Sequence, residues 1–181
     1  MVPPFFTIGH STRSIEEFVD LLREGEVSFV VDIRTVPQSR TNPQYNKQTL
    51  PHTLAAFDIG YEQIAELGGL RGKSRDVAPE TNGFWDNRSF HNYADYAETE
   101  SFRTGLERLV ALGRQQRCAM MCSEAVWWRC HRRIVSDHLI VRGEQVFHLM
   151  GKDRIEPAGL TQGAQVQDNG MLTYPADRPH A

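Results

Sequence analysis

A chain of 181 residues and 20.6 kDa fits one domain of ordinary size rather than two. With 40% hydrophobic residues, among them 9 Phe, 3 Trp and 5 Tyr, it carries enough apolar volume for a core, which excludes a disordered chain. No apolar run approaches the roughly 18 residues of a membrane span, and 20 basic against 23 acidic residues leave a net charge of −3, so bulk electrostatics do not predict nucleic-acid binding.

Met1-Val-Pro-Pro-Phe-Phe lacks the basic segment and long apolar stretch of a signal peptide. Three cysteines, an odd number, make no disulfide framework, so a cytoplasmic location is the expectation. The basic residues are mostly Arg, 17 against 3 Lys. Arg offers a rigid fork for carboxylates and phosphates, but genome composition also enriches it, so position has to decide.

In chain order, Phe5 to Ile8 reads as a short strand ending at Gly9. Ser14 and Glu17 form a capping box for a helix whose apolar face is Ile15, Phe18, Val19, Leu21 and Leu22. Val27 to Ile33 is a β-branched, nearly all-apolar strand, completing a βαβ unit with a right-handed crossover. Thr35 to Pro51 is polar and broken by prolines, mostly loop with one helical turn. A short helix ending near Leu54–Phe57 precedes a third strand at Gly60 to Ile64, and Leu67-Gly-Gly-Leu70 is a turn. Arg71 to Ser89 is a long polar loop of the kind that is a lid or binding loop, or else mobile.

Phe90 to Ala97 restores order, and a helix capped at Ser101 runs to Gly113. Cys118 to Cys122 is a buried strand, Trp127 to Val141 a helix, and Gln145 to Met150 the last clear strand. The expected fold is α/β: a three-layer α/β/α single domain with a mainly parallel sheet. The expected α/β domain spans 1–150, and 151–181 is a C-terminal extension, a small hairpin turned at Asp168-Asn-Gly170 or a partly disordered tail.

In an open parallel sheet, ligands bind beyond the carboxyl ends of the strands. The first strand delivers Gly9, His10 and Ser11 there; the second delivers Asp32 and Arg34, with Ser39 soon after. The strand at Cys118 delivers Cys122 and Glu124, followed by His131 and Arg132. The candidate catalytic residues are His10, Asp32, Cys122, Glu124 and His131; the candidate substrate-binding residues are Gly9, Ser11, Arg34, Ser39 and Arg132. Each has a plainer role: Asp32 and Arg34 suit a structural ion pair, and Cys130, read on a helical face with Ile134 and Val141, suits packing. Arg129, Arg132 and Arg133 share a helical face that is either solvated or an anion site, with Arg132 rather than Arg133 facing the pocket.

Six residues separate Cys122 from Arg129, one more than in a phosphatase-type loop, and that loop has no glycine. Cys122, Cys130, His131 and His10 or His148 include no CxxC or HxxxH pair, so no metal is expected. Neither a P-loop nor GxGxxG is present, and no cofactor is expected.

Thr7-Ile-Gly-His-Ser11, Asp32-Ile-Arg34 followed by Pro37 and Ser39, Leu67-Gly-Gly69, and Met121-Cys-Ser-Glu124 with Cys130-His-Arg132 together resemble the domain-of-unknown-function 488 family over about residues 6 to 150. The resemblance implies a compact cytosolic α/β domain with these blocks as its shared site, and no particular reaction. Trp127-Trp128 departs from the smaller or proline-containing stretch expected before Cys-His-Arg.

The functional expectation is an enzyme acting on a phosphate-bearing substrate, such as a nucleotide or nucleic-acid component. The alternative is a non-catalytic anion- or nucleic-acid-binding module using the same pocket. No membrane partner is expected.

Overall fold

The computed structural model describes residues 2–176. Strand β1 (Phe5–Gly9) leads through α1 (Ile15–Glu24) to β2 (Phe29–Asp32), then through a 3-10 turn at Pro43–Tyr45 and α2 (Leu50–Ala55) to β3 (Gly60–Gln63). Helices α3 (Arg88–Tyr96) and α4 (Glu100–Gln115) precede β4 (Cys118–Cys122), and α5 (Arg132–Val141) connects it to β5 (Val146–Gly151). Three further strands follow: β6 (Arg154–Pro157), β7 (Gln165–Val166) and β8 (Leu172–Thr173).

The six-stranded sheet runs β3-β2-β4-β1-β5-β6, parallel except for β6, which lies antiparallel on β5. β1 and β4 are central and wholly buried, which is why their sequences read as apolar runs, interrupted in β1 by Thr7. Alternation along each strand separates two cores. Phe5, Val31, Cys118, Met120 and Cys122 face α3, α4 and α5, while Phe6, Ile8, Val30, Ala119 and Met121 face α1 and α2. The three-layer α/β/α single domain is therefore the observed fold.

The Ser14–Glu17 capping box forms as read. Two helix ends differ from the sequence reading. Helix α4 is capped by Thr99, whose side chain accepts from the Phe102 N–H, and not by Ser101. Gly113 does not stop that helix; it lies within it, where a Cβ would run into the Phe5 ring, so this glycine serves close helix–sheet packing.

The largest difference is at Trp127 to Val141, which is not one helix. Trp127–Arg129 is a 3-10 turn, Cys130 is extended (φ −126°, ψ 146°), and α5 starts only at Arg132. Cys130 and His131 therefore precede α5, and Arg129, Arg132 and Arg133 share no solvated face.

Beyond Gly151, β6 extends the sheet and a two-strand hairpin turns at Asp168–Gly170, with Gly170 at φ +81°. The loop from Arg71 to Ser89 is anchored rather than loose. Asn82 donates to Asp95 and accepts from the Tyr174 N–H, and Trp85 is buried in the core. Among the described residues no helix is long and apolar enough to cross a membrane.

Candidate functional site

A cleft of about 530 Å³ opens at the carboxyl ends of the parallel strands. Its lining includes His10 after β1, Arg34 and Ser39 after β2, Cys122 and Glu124 at the end of β4, and Cys130 and His131 before α5. Gly69, Phe90 and Arg129 also line it. Gly9, Ser11, Asp32 and Arg132 sit behind this lining and act on it through other groups.

Gly9 permits the closest approach in the site. A Cβ there would overlap the Glu124 carbonyl, so only glycine lets β1 pass beneath the loop leaving β4. Ser11, at φ 47°, accepts from His10 Nδ1 through its carbonyl (2.9 Å) and donates its N–H to the Ser123 carbonyl (3.0 Å). That leaves His10 Nε2 as an acceptor toward Arg34 Nη1 at 3.3 Å. The ring stacks on Tyr45 at 4.3 Å, and burial lowers the His10 pKa despite the Ser11 contact.

Asp32 and Arg34 form a buried, two-pronged ion pair: Nε to Oδ1 at 2.9 Å and Nη2 to Oδ2 at 2.7 Å. Tyr61 also donates to Asp32, and Arg34 Nη2 donates to the Tyr45 carbonyl. The pair holds the loop after β2, so that Arg34 Nη1 alone points at His10. Ser39 stands nearby, its hydroxyl accepting from the Asn42 N–H at 3.0 Å.

The end of β4 carries the densest chemistry. Cys122 Sγ and Cys130 Sγ are 2.6 Å apart, and neither is in a disulfide. Arg132, fully buried, donates Nη1 to Cys122 Sγ (2.6 Å) and to the Glu124 carbonyl (2.6 Å), and Nη2 to the Ala125 carbonyl (3.1 Å). Its Nε donates to Thr7 Oγ1 at 3.2 Å, and that hydroxyl donates to His148 Nδ1 at 2.6 Å. His148 stacks on Trp127 at 4.8 Å; burial, reinforced by Arg132, lowers its pKa to about 3.

Among the described residues no carboxylate pairs with Arg132. An unpaired buried charge is costly, so the sulfurs supply the counter-ion. Burial is the largest influence on Cys130 and raises its pKa. The hydrogen bond from the Cys122 thiol and the charge of Arg132 outweigh it, and the thiol falls to about 7. Cys122 is driven well upward, by burial first and then by its partner sulfur. The two sulfurs thus form one ionisable unit beside Arg132, with Cys130 drawn down and Cys122 driven up.

His131 completes the arrangement. Its Nε2 donates to the Ile33 carbonyl at 2.8 Å, which leaves the Nδ1 lone pair 3.5 Å from Cys130 Sγ. Gly69 packs directly on the imidazole, where a Cβ would not fit, and the Tyr93 ring meets it edge-on at 5.0 Å. Burial lowers the His131 pKa. The Glu124 carboxylate is exposed at the cleft, while its carbonyl holds Arg132.

Arg133 points elsewhere, with Nε donating to Thr161 and its guanidinium over Trp85 and Trp127. Helical periodicity assigns Cys130 to packing, and although the strand-end rule carries His148 to the same rim, no sequence pattern links Thr7 and His148 to Arg132. The signal for Thr7 is a hydroxyl interrupting an otherwise apolar, doubly buried strand.

A family model described as domain of unknown function DUF488 matches residues 14–139, more than half of the chain. The matched segment holds Asp32-Ile-Arg34, Leu67-Gly-Gly69, Met121 to Glu124 and Cys130-His-Arg132, and begins after the block Thr7 to Ser11. No curated protein and no solved structure matches the chain.

Proposed function

Given that the chain belongs to the DUF488 family, we propose that it is an enzyme acting on a phosphate-bearing substrate, such as a nucleotide or nucleic-acid component, with a thiolate nucleophile drawn from Cys122 and Cys130. The observation that carries this reading is Arg132, buried beneath the cleft with sulfur in place of a carboxylate as its anion. A module that only binds anions has no use for a guanidinium turned inward onto a thiol. An enzyme gains a nucleophile that is ionised near neutral pH.

In this reading Cys130 gives its proton to His131 Nδ1 and attacks the substrate phosphorus, an S–P bond forming as the bond to the leaving-group oxygen breaks and that oxygen is protonated from Glu124. His10 Nε2 is the base of the following step, released when substrate draws Arg34 Nη1 away from it. Asp32 acts through Arg34 by fixing its fork, and Glu124 serves as the exposed acid–base carboxylate. The phosphate is received by Arg129, by Ser39 and by the N–H groups of Ser123, Glu124 and Ala125, for which no backbone acceptor occurs among the described residues. Val36 and Leu70, 56% and 73% exposed, form with Phe90 an apolar lip that suits a nucleobase.

The test is turnover of a panel of nucleoside phosphates and short oligonucleotides, followed by mass spectrometry, with binding measured by calorimetry. Turnover that falls about a hundredfold or more in Cys130→Ser, His10→Ala and Glu124→Gln, with binding retained, supports the enzyme. Binding without turnover across the panel overturns it in favour of the anion- or nucleic-acid-binding module.

A further inference from the structure

We propose that Cys122 and Cys130 form a reversible dithiol/disulfide centre, oxidised by a hydroperoxide and restored by a low-molecular-weight thiol. The two sulfurs are in direct contact and both border the cleft, Cys122 3% and Cys130 5% exposed, which is the side from which a small oxidant would approach. The loop between them is held in register, because Arg132 binds the carbonyls of both Glu124 and Ala125. The extended backbone at Cys130 turns its side chain back toward Cys122, where a continuous helix would have carried it away.

Two sulfurs touch beside one fixed cation, so one of the pair attacks the oxidant and the other, already in contact, resolves the product. This is the division between an attacking and a resolving cysteine. Cys118 takes no part: it lies at the opposite end of β4, four residues or about 13 Å from Cys122.

The chemistry balances in two steps. The Cys130 thiolate attacks hydrogen peroxide, an S–O bond forms as the O–O bond breaks, and hydroxide leaves, giving a sulfenic acid. The Cys122 sulfur then attacks Cys130 Sγ, the S–S bond forms, and the sulfenic oxygen leaves as water with the Cys122 proton. Together the two thiols lose two electrons and two protons, and peroxide with two protons becomes two waters. Two equivalents of a small thiol reverse the change and leave as their own disulfide.

Oxidation removes the negative charge from beside Arg132 and ties up the nucleophile. It does not depend on the phosphate reading, since no substrate enters the steps.

The experiment treats the reduced full-length protein with hydrogen peroxide at neutral pH, then blocks free thiols with iodoacetamide and maps the peptides by mass spectrometry. The expected result is one intramolecular Cys122–Cys130 link, formed at least about tenfold faster than any oxidation of Cys118 and reversed by dithiothreitol. Cys122→Ser is expected to accumulate a Cys130 sulfenic acid that dimedone traps. The peptide map uses the unsubstituted chain and so survives a variant that does not fold. A link to Cys118, a link between two chains, or oxidation of Cys130 beyond sulfenic acid without any link overturns the proposal. The same disulfide formed in a protein that turns over no phosphate compound leaves the redox centre standing and removes only the substrate reading.

Discussion

Arg132 Nη1 lies 2.6 Å from Cys122 Sγ, beneath a cleft floor that also contains Cys130. Cation and thiolate are each buried, and each stabilises the other in low dielectric. Replacing Arg132 by Ala strands the sulfur charge and frees the Glu124 and Ala125 carbonyls. The expected loss of stability is about 3–5 kcal/mol by chemical denaturation, and the Cys130 thiol moves up from about 7. Arg133→Ala is expected to cost much less, since that side chain is only part-buried against Thr161 and two tryptophans. Equal losses in the two variants would contradict the assignment.

Thiol labelling of the reduced protein distinguishes its three cysteines. Cys130 is expected to react first, with a rate that rises through about pH 7. Cys118, pushed up to about 12 by burial, is expected to stay inert until the protein unfolds. Time-resolved alkylation with peptide mapping gives the order; Cys118 labelling ahead of Cys130 would exclude the thiolate.

Acid weakens the fold through its buried histidines. His148 and His138 have folded pKa values of about 3 and about 4, below the ordinary 6.5, each lowered chiefly by burial. Between these values and 6.5 the unfolded chain binds more protons than the native one, so stability rises with pH across that window and is lost as pH falls through it. Each tenfold drop in proton affinity on folding corresponds to about 1.4 kcal/mol when fully expressed. Among the described residues His138 Nε2 is buried without a partner, so His138→Leu is expected to gain about 1 kcal/mol at neutral pH and to blunt the acid slope. Denaturant midpoints from pH 7 down to 4 check both; a flat profile would mean the histidines are protonated in the fold.

Gly9→Ala is expected to destabilise by about 1–3 kcal/mol, because the new methyl overlaps the Glu124 carbonyl. The displaced loop carries two of the acceptors of Arg132, the Glu124 and Ala125 carbonyls. The variant is therefore expected to show a raised Cys130 pKa as well as a lower melting temperature. Thermal melting with thiol titration tests both; a change in stability with no change in the thiol would separate the glycine from the site.

Much of this architecture is legible along the chain. Phe5 to Gly9 and Cys118 to Cys122 are apolar on both faces, which places them in the centre of a parallel sheet, and the rule for such sheets puts His10, Arg34 and Cys122 at one end. Ser14 with Glu17 announces a helix start through purely local hydrogen bonds. In each case the information lies within a few residues, where periodicity and capping operate.

The tertiary structure alone decides which polar groups neutralise one another. Asp32 takes the fork of Arg34, so that arginine braces a loop and presents one N–H to His10. Arg132 reaches Thr7, 125 positions away, and the sulfur of Cys122, ten positions away. Those contacts across the sheet accompany a break at Cys130, where helical periodicity alone would have continued. Local pattern records which face of an element is apolar. It holds no record of where a buried charge finds its counter-ion, because that partner comes from whichever strand the topology brings alongside.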